Sequence, residues 1–327
     1  MNAEKAVKIQ SDPAIVKEKV LVIAGPTASG KSATALLVAE AAGGEIISAD
    51  SMQLYRGLNI GTAKVSPAEQ ERVRHHLVDI LDPAERFSVA AWQEAALAAI
   101  ADILERGKLP IVCGGTGQYI SSLLEGLSFT PIAVDLDLRQ KLNERADREG
   151  TEEMLAEVAE FDPATAARLH LKDRKRIIRA HEVYRLSGKS PSQLNAESRS
   201  QPVPYNYLAF CLWPERALLY KRIEQRVDAM LAQGLIKEVE SLNLQNLPAD
   251  APCRQAIGYK EVFAFLAGEA SLSETTDRIK QVTRNYAKRQ LTWFRRLSEL
   301  RAYRNGISSS CCTTYPRENP SRLITTL

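Results

Sequence analysis

The sequence predicts an α/β fold: a P-loop-containing parallel sheet flanked by helices, with a helical insertion domain. Three observations predict it. Short β-branched runs alternate with helical stretches, the mark of a parallel sheet covered on both faces. The first of those runs leads directly into the glycine-rich segment GPTASGKS (Gly25–Ser32). Between positions 131 and 202 the strand-like runs disappear and the chain becomes charged and helical in pattern.

Residues 1–18 are polar and patternless and read as a flexible arm. KVLVIAG (Lys19–Gly25) reads as a buried strand, and the Ala/Leu-rich stretch Lys31–Ala42 as the helix after the loop. EIISAD (Glu45–Asp50) reads as a second strand and HHLVDI (His75–Ile80) as a third. Ser88 suits the N-cap of a long helix reaching about Arg106. KLPIVCGG (Lys108–Gly115) is another buried strand ending in glycines. After the insertion, NYLAFCLW (Asn206–Trp213) returns to a strand that rejoins the sheet, and 214–300 is helical. The expected domains are therefore a catalytic core of 19–130 plus 203–304, the insertion at 131–202, and a polar, aperiodic, disordered tail at 305–327.

Composition excludes several classes. The chain has 327 residues and 45% hydrophobic content, enough for one large or two ordinary domains. No apolar run approaches the ~20 residues of a membrane span. The N-terminal stretch has no apolar core of signal-peptide type, so a cytoplasmic protein is expected. The five cysteines form no CxxC pair and read as free thiols rather than a zinc or disulfide framework. The net charge of +3 says little by itself.

GPTASGKS matches GxxxxGK[ST], the loop in which backbone N–H groups and a helix N-terminus cradle a polyphosphate. Gly25, Pro26, Thr27, Ala28, Ser29 and Gly30 form the turn, Lys31 can reach the outer phosphate, and the Ser32 hydroxyl can hold Mg²⁺. An ordinary nucleotide hydrolase adds a strand ending in Asp. Here the corresponding strand ends in Gly114, Gly115 and Thr116, and Asp79 is only a weak substitute. Asp50 follows the second strand, at a strand end where ligands of open parallel sheets sit. It can be a general base, a metal ligand or a turn cap.

Together, GPTASGKS, SADSMQLYRGLNIGTAK (Ser48–Lys64), HHLVDILDP (His75–Pro83) and CGGTGQY (Cys113–Tyr119) resemble the tRNA dimethylallyltransferases. LYKRIEQRVDAML (Leu219–Leu231), RQAIGYKE (Arg254–Glu261) and TRNYAKRQLTWFRR (Thr283–Arg296) extend the resemblance over roughly 19–300. It implies transfer of the dimethylallyl group of dimethylallyl diphosphate to N6 of the adenosine 3′ of the anticodon, in tRNAs reading codons that begin with U. Mg²⁺ assists. By resemblance, the loop holds the donor's diphosphate, Asp50 is the proposed base, Arg222 reaches the leaving group, and Thr116 lies near the target base. The target nucleotide must leave its stack to react, and the stretch Asp50, Ser51, Met52 and Gln53 matches the family segment that contacts it.

Basic residues cluster twice. Lys172–Lys189 has seven Lys/Arg against two acids, and Thr283–Arg304 has seven against one, interleaved with Tyr286, Trp293 and Phe294. Cations supply phosphate affinity and aromatics offer stacking faces, although Trp293 and Phe294 fit a core equally well. Resemblance assigns tRNA contacts to Lys175, Arg176, Ile177, Ile178 and Arg179, to Arg139, to the loop Pro252–Lys260 with Arg254, Gln255 and Gly258, and to the stretch from Tyr286 to Trp293, including Lys288 and Arg289. The expected partners are the anticodon stem-loop of tRNA and dimethylallyl diphosphate, with no membrane, and the chain is expected to be a monomer. An adenylate isopentenyltransferase or a small-molecule kinase lacks a need for such tracks. A non-catalytic RNA-binding or nucleotide-switch protein fits poorly with Asp50 beside an intact phosphate loop.

Overall fold

Lys19–Ala24 (β1) buries Val20, Leu21, Val22 and Ile23 on both of its sides, as a strand covered by helices on two faces must. The structure, a computed structural model, describes residues 17–129, 135–198, 202–243, 247–248, 250–304 and 307–308. After β1 come α1 (Lys31–Ala42), β2 (Gly44–Ala49), α2 (Pro67–Arg72), β3 (His75–His76), α3 (Val89–Glu105), β4 (Leu109–Gly114) and α4 (Gly117–Leu124). Five helices follow: α5 (Leu136–Glu149), α6 (Thr151–Phe161), α7 (Pro163–Ala166), α8 (Arg174–Ser187) and α9 (Pro191–Ser198). The chain then returns through β5 (Asn206–Leu212) and α10 (Arg216–Ala232), α11 (Leu235–Asn243), a 3-10 turn at Pro252–Gln255, α12 (Tyr259–Leu266), α13 (Leu272–Phe294), β6 (Arg301–Arg304) and β7 (Ile307–Ser308).

The sheet order is β3-β2-β4-β1-β5-β6-β7, parallel through β6, with β7 antiparallel at the edge. Parallel alignment brings the C-terminal ends of β1, β2 and β4 to one edge, with Ala24 opposite Gly114 and Ala49 opposite Gly114. The phosphate loop, Asp50 and Thr116 follow those three ends directly. Under the sheet, Trp92 stacks on Tyr119 at 4.3 Å between ring centroids and donates its indole N–H to the Ser48 carbonyl at 3.0 Å. Ser88 caps α3, accepting from the Ala91 N–H at 3.1 Å.

Two elements differ from the sequence reading. The third strand stops after His76, because Leu77 (φ 59°) and Asp79 (φ 54°) adopt left-handed backbone that no strand tolerates. Residues 301–304, just past the 214–300 region read as helical and given no strand, add a short charged strand beside β5, and residues 307–308 of the expected tail pair with it. The rest of that tail, and residues 1–16 of the expected arm, lie outside the described residues. Lys17 and Glu18 are tied down: the Lys17 ammonium donates to the Val203 carbonyl at 2.6 Å, and Asn206 N–H to the Glu18 carbonyl at 2.9 Å.

Helices α5–α8 build a core of their own from Leu142, Ala146, Met154, Val158, Ile177 and Ile178. No described helix is long and apolar enough to cross a membrane.

Candidate active site

The loop between β1 and α1 turns tightly for identifiable reasons. Ala28 (φ 62°) and Gly30 (φ 93°) sit in left-handed backbone. A Cβ on Gly25 would lie 2.7 Å from the Ser29 hydroxyl, so only glycine lets the turn close there. Ala28 packs with Leu219 and Ile223 of α10 and Ala287 of α13, so the loop rests on two helices from the far end of the chain. The Lys31 ammonium donates to the Pro26 carbonyl at 3.3 Å across the loop. Burial pulls its pKa below the ordinary lysine value; Asp50 opposes that shift and the nearby Arg226 guanidinium adds to it.

Lys31, Ser32, Thr27, Asp50, Gln53 and Arg226 line a cleft of about 280 Å³. Sequence reasoning did not single out Arg226, which lines this cleft. Arg222 was expected to reach the leaving group, yet it is exposed on α10 and does not line the cleft. Arg226 sits one helical turn later, about 6 Å along the axis, with burial lowering its pKa. Both arginines follow a buried apolar position by three residues (Leu219, Ile223), so periodicity alone cannot choose between them. Among the described residues, Arg226 has no ion pair or hydrogen bond. Asp79, the weak substitute for a metal-positioning aspartate, instead pairs with Lys64.

Asp50 fills the turn-cap role and also faces the cleft. Its Oδ1 accepts from the Met52 N–H at 2.9 Å, holding the turn after β2, while the residue still lines the cleft. Thr116 Oγ1 accepts from the Ser51 N–H at 3.0 Å, and the Thr116 N–H donates to the Ala49 carbonyl at 3.0 Å. This hydroxyl therefore joins the ends of β2 and β4. The Gln53 side chain is engaged with its own loop, donating to the Thr62 and Ala63 carbonyls at 3.3 and 3.2 Å. Tyr286 of α13 brings its hydroxyl against Thr116 and Gln290. Burial raises that pKa, and the Asp50 carboxylate raises it further.

A family profile described as IPP transferase matches residues 53–297, and one described as Isopentenyl transferase matches 18–82. The chain belongs to the IPP transferase family. Curated relatives include a tRNA dimethylallyltransferase 1 from Trichlorobacter lovleyi, 53% identical over 86% of this chain and 92% of its own length. The tRNA dimethylallyltransferase of Geobacter metallireducens is 50% identical over 87% and 92%. Among solved structures, a full-length tRNA isopentenylpyrophosphate transferase from Bacillus halodurans aligns with TM-score 0.65 and 41% identity over 88% and 90% of the two chains. A eukaryotic dimethylallyltransferase acting on tRNA aligns with TM-score 0.74 and 29% identity over 88% and 74%.

The basic tracks of this IPP transferase sort into two kinds. Lys175, Arg176, Lys288, Arg289 and Gln255 are exposed, and Arg289 lies 5.7 Å over the Tyr286 ring. Ile177 (0% exposed) and Ile178 (5%) face the insertion core, so they cannot touch RNA as expected; the helical period turns them inward between the basic residues. Arg139 and Arg179 both bind the buried Glu182 carboxylate, which makes them braces of the insertion. Arg254 lies 4.6 Å over the Phe263 ring. Gly258 is buried at φ 90° and opens α12. Trp293 is 38% exposed and Phe294 2%, so one of that pair is core and the other is not.

Proposed function

We propose that this IPP transferase moves the dimethylallyl group of dimethylallyl diphosphate to N6 of the adenosine immediately 3′ of the anticodon, position 37, in tRNAs reading codons that begin with U. The products are N6-dimethylallyladenosine and diphosphate. The observation that carries this reading is the cleft in which Lys31 and Arg226 gather beside Asp50, in a chain half or more identical to proteins called tRNA dimethylallyltransferase.

The diphosphate lies on the Gly25–Ser32 loop, against its N–H groups and the N-terminus of α1. As the allylic C1–O bond breaks, its electron pair leaves with the diphosphate. Lys31 and Arg226, held in place before the reaction, stabilise that growing charge. N6 of the extruded adenine supplies the pair for the new C1–N bond, and its proton passes to the Asp50 carboxylate. Oδ1 is held by the Met52 N–H, which leaves Oδ2 the freer oxygen to receive it. Mg²⁺ fits the donor set. Ser32 offers a hard hydroxyl oxygen at the start of α1, and no group of three or more His, Cys, Asp or Glu gathers to hold a metal among the described residues. An ion bound by Ser32 and the diphosphate's own oxygens would neutralise part of the leaving group's charge.

The enzyme would act as a monomer in the cytoplasm. Exposed Lys175, Arg176, Lys288 and Arg289 favour an extended RNA over free AMP, which requires no track of phosphate contacts. Incubating the protein with labelled dimethylallyl diphosphate and either unmodified tRNA or AMP tests the reading. Label at N6 in tRNA, lost in Asp50→Asn while tRNA still binds, is expected. Label in AMP alone, or ATP turnover without transfer, would refute it.

A further inference from the structure

Three residues on one face of α13, at spacings of four and three, dock along the turn that follows β4. Tyr286 meets Thr116, and the Trp293 indole N–H donates to the Ser121 hydroxyl at 2.8 Å. Between them Gln290, buried, reaches two loops at once. Its Oε1 accepts from the Thr27 N–H of the phosphate loop at 2.8 Å, and its Nε2 donates to the Gly115 carbonyl at 2.9 Å. One amide therefore spans the segment that follows β1 and the segment that leads to Thr116.

The glycines of CGGTG fit this docking. A Cβ on Gly115 would stand 2.3 Å from Gln290 Nε2, and a Cβ on Gly117 would stand 2.5 Å from the Trp293 ring. Both positions are kept bare where α13 arrives. Burying an amide is costly unless its hydrogen bonds are made, and this amide makes two of them to loops far apart in sequence.

We infer that Gln290 is a positioning residue, fixing the separation between the loop that carries the donor diphosphate and the turn that carries the acceptor. The inference rests on the transfer reaction proposed above. Displacement at an allylic carbon requires the reacting atoms at about 3–3.5 Å, and an error of about 1 Å can cost about 10²-fold. Gln290 takes up the Thr27 N–H of the donor loop and reaches none of Lys31, Arg226 and Asp50, so it acts by holding the loop in place. Exposed Lys288 and Arg289 directly precede Gln290 on the same helix, which links exposed cations to the donor loop through one element.

The test uses the full-length protein with labelled dimethylallyl diphosphate and unmodified tRNA. Gln290→Met keeps the side-chain length and removes both hydrogen bonds. It should lower kcat per folded enzyme about 10²-fold, with tRNA Kd within about threefold. The Thr27 N–H and Gly115 carbonyl left unpaired should also lower the melting temperature, so kcat is read at temperatures where the variant is folded. Gly115→Ala should lower kcat as well, by pushing the amide aside. In a Gln290→Ala background the clash with the amide is gone and the tight contact left is the Gly25 carbonyl at 3.3 Å, so the double variant should be only slightly slower than Gln290→Ala alone. A role confined to stability would lower the melting temperature and leave kcat per folded enzyme unchanged. Unchanged kcat in folded Gln290→Met, or losses that simply multiply in the double variant, would overturn the inference. Absence of transfer by the wild-type protein would instead sink the reading of function, so the two failures are distinct.

Discussion

The donor cleft and the helical insertion use cations in opposite ways. In the cleft, Lys31 and Arg226 are enclosed, their pKa values pulled down by burial, and Arg226 has no carboxylate partner among the described residues. In the insertion, Arg139 and Arg179 share the buried Glu182, Arg145 binds Glu149 and Glu157, and Arg174 binds Asp147. A charge left enclosed and unpaired is unfavourable until an anion arrives. A charge already paired holds helices together and has little left to offer a ligand. The number of basic residues therefore says where cations are, and their pairing says which of them await a substrate.

The largest expected effect tests the cleft side of that contrast. Arg226→Ala should lower kcat/KM by about 10²–10³, the usual loss for one preorganised group facing developing negative charge. Arg222→Ala, one turn away and exposed, should stay within about threefold of wild type. Steady-state kinetics at saturating tRNA decide the matter, and equal losses in the two variants would erase the distinction drawn from geometry.

The insertion side predicts a loss of stability instead. Arg139→Ala leaves Glu182, 2% exposed, with Arg179 as its remaining ion-pair partner. Losing the Arg139 hydrogen bonds to a carboxylate that keeps Arg179 costs about 2 kcal/mol, so the insertion should unfold at lower urea concentration. The salt dependence of tRNA binding should hold at temperatures where the variant is folded. A reduced salt slope with intact stability would return Arg139 to the RNA surface.

Acid should act on the same brace. Desolvation is the largest influence on Glu182 and pushes its pKa up, but the hydrogen bonds from Arg139 and Arg179 together outweigh it and hold the carboxyl below the ordinary value. Its folded pKa is thus lower than its unfolded one. The stabilisation is present above the unfolded value of about 4.3 and is lost as pH falls through the folded value. Thermal melts from pH 6 to pH 3 should show wild type losing stability more steeply than Glu182→Gln, which has no such proton to take up.

Legibility in the sequence followed the same divide between local and distant causes. β1, the loop and α1 were readable because an apolar run, glycines and a helical stretch lie within 24 residues, Lys19–Ala42, and each follows from its own neighbours. The choice of Arg226 over Arg222 was not, since it depends on how far along α10 the loop rests. Ile177 and Ile178 came in with the whole segment that the resemblance matched, and the helical period across RKRIIR, which turns them inward, was not applied to it. Gln290 was hidden more deeply: its partner Thr27 is 263 positions away, and no local pattern marks a glutamine that bridges two loops. The strand at 301–304 was too short and too charged to register as one.

The smallest effect concerns the cations that remain exposed. Lys175 and Arg176 lie on the same helix as Arg179. Arg176 is 71% exposed, with its nearest acid, Asp173, at 4.0 Å, the outer limit of an ion pair and worth little in water. If exposure marks cations available to phosphate, the double reversal Lys175→Glu and Arg176→Glu should weaken tRNA binding while leaving stability nearly unchanged. Each phosphate left without its cation should make the slope of log Kd against log salt shallower by about one. Binding measured from 50 to 200 mM salt reads that slope directly. A steep, unchanged slope would mean that RNA crosses the insertion elsewhere, and that exposure without pairing is not sufficient to mark its path.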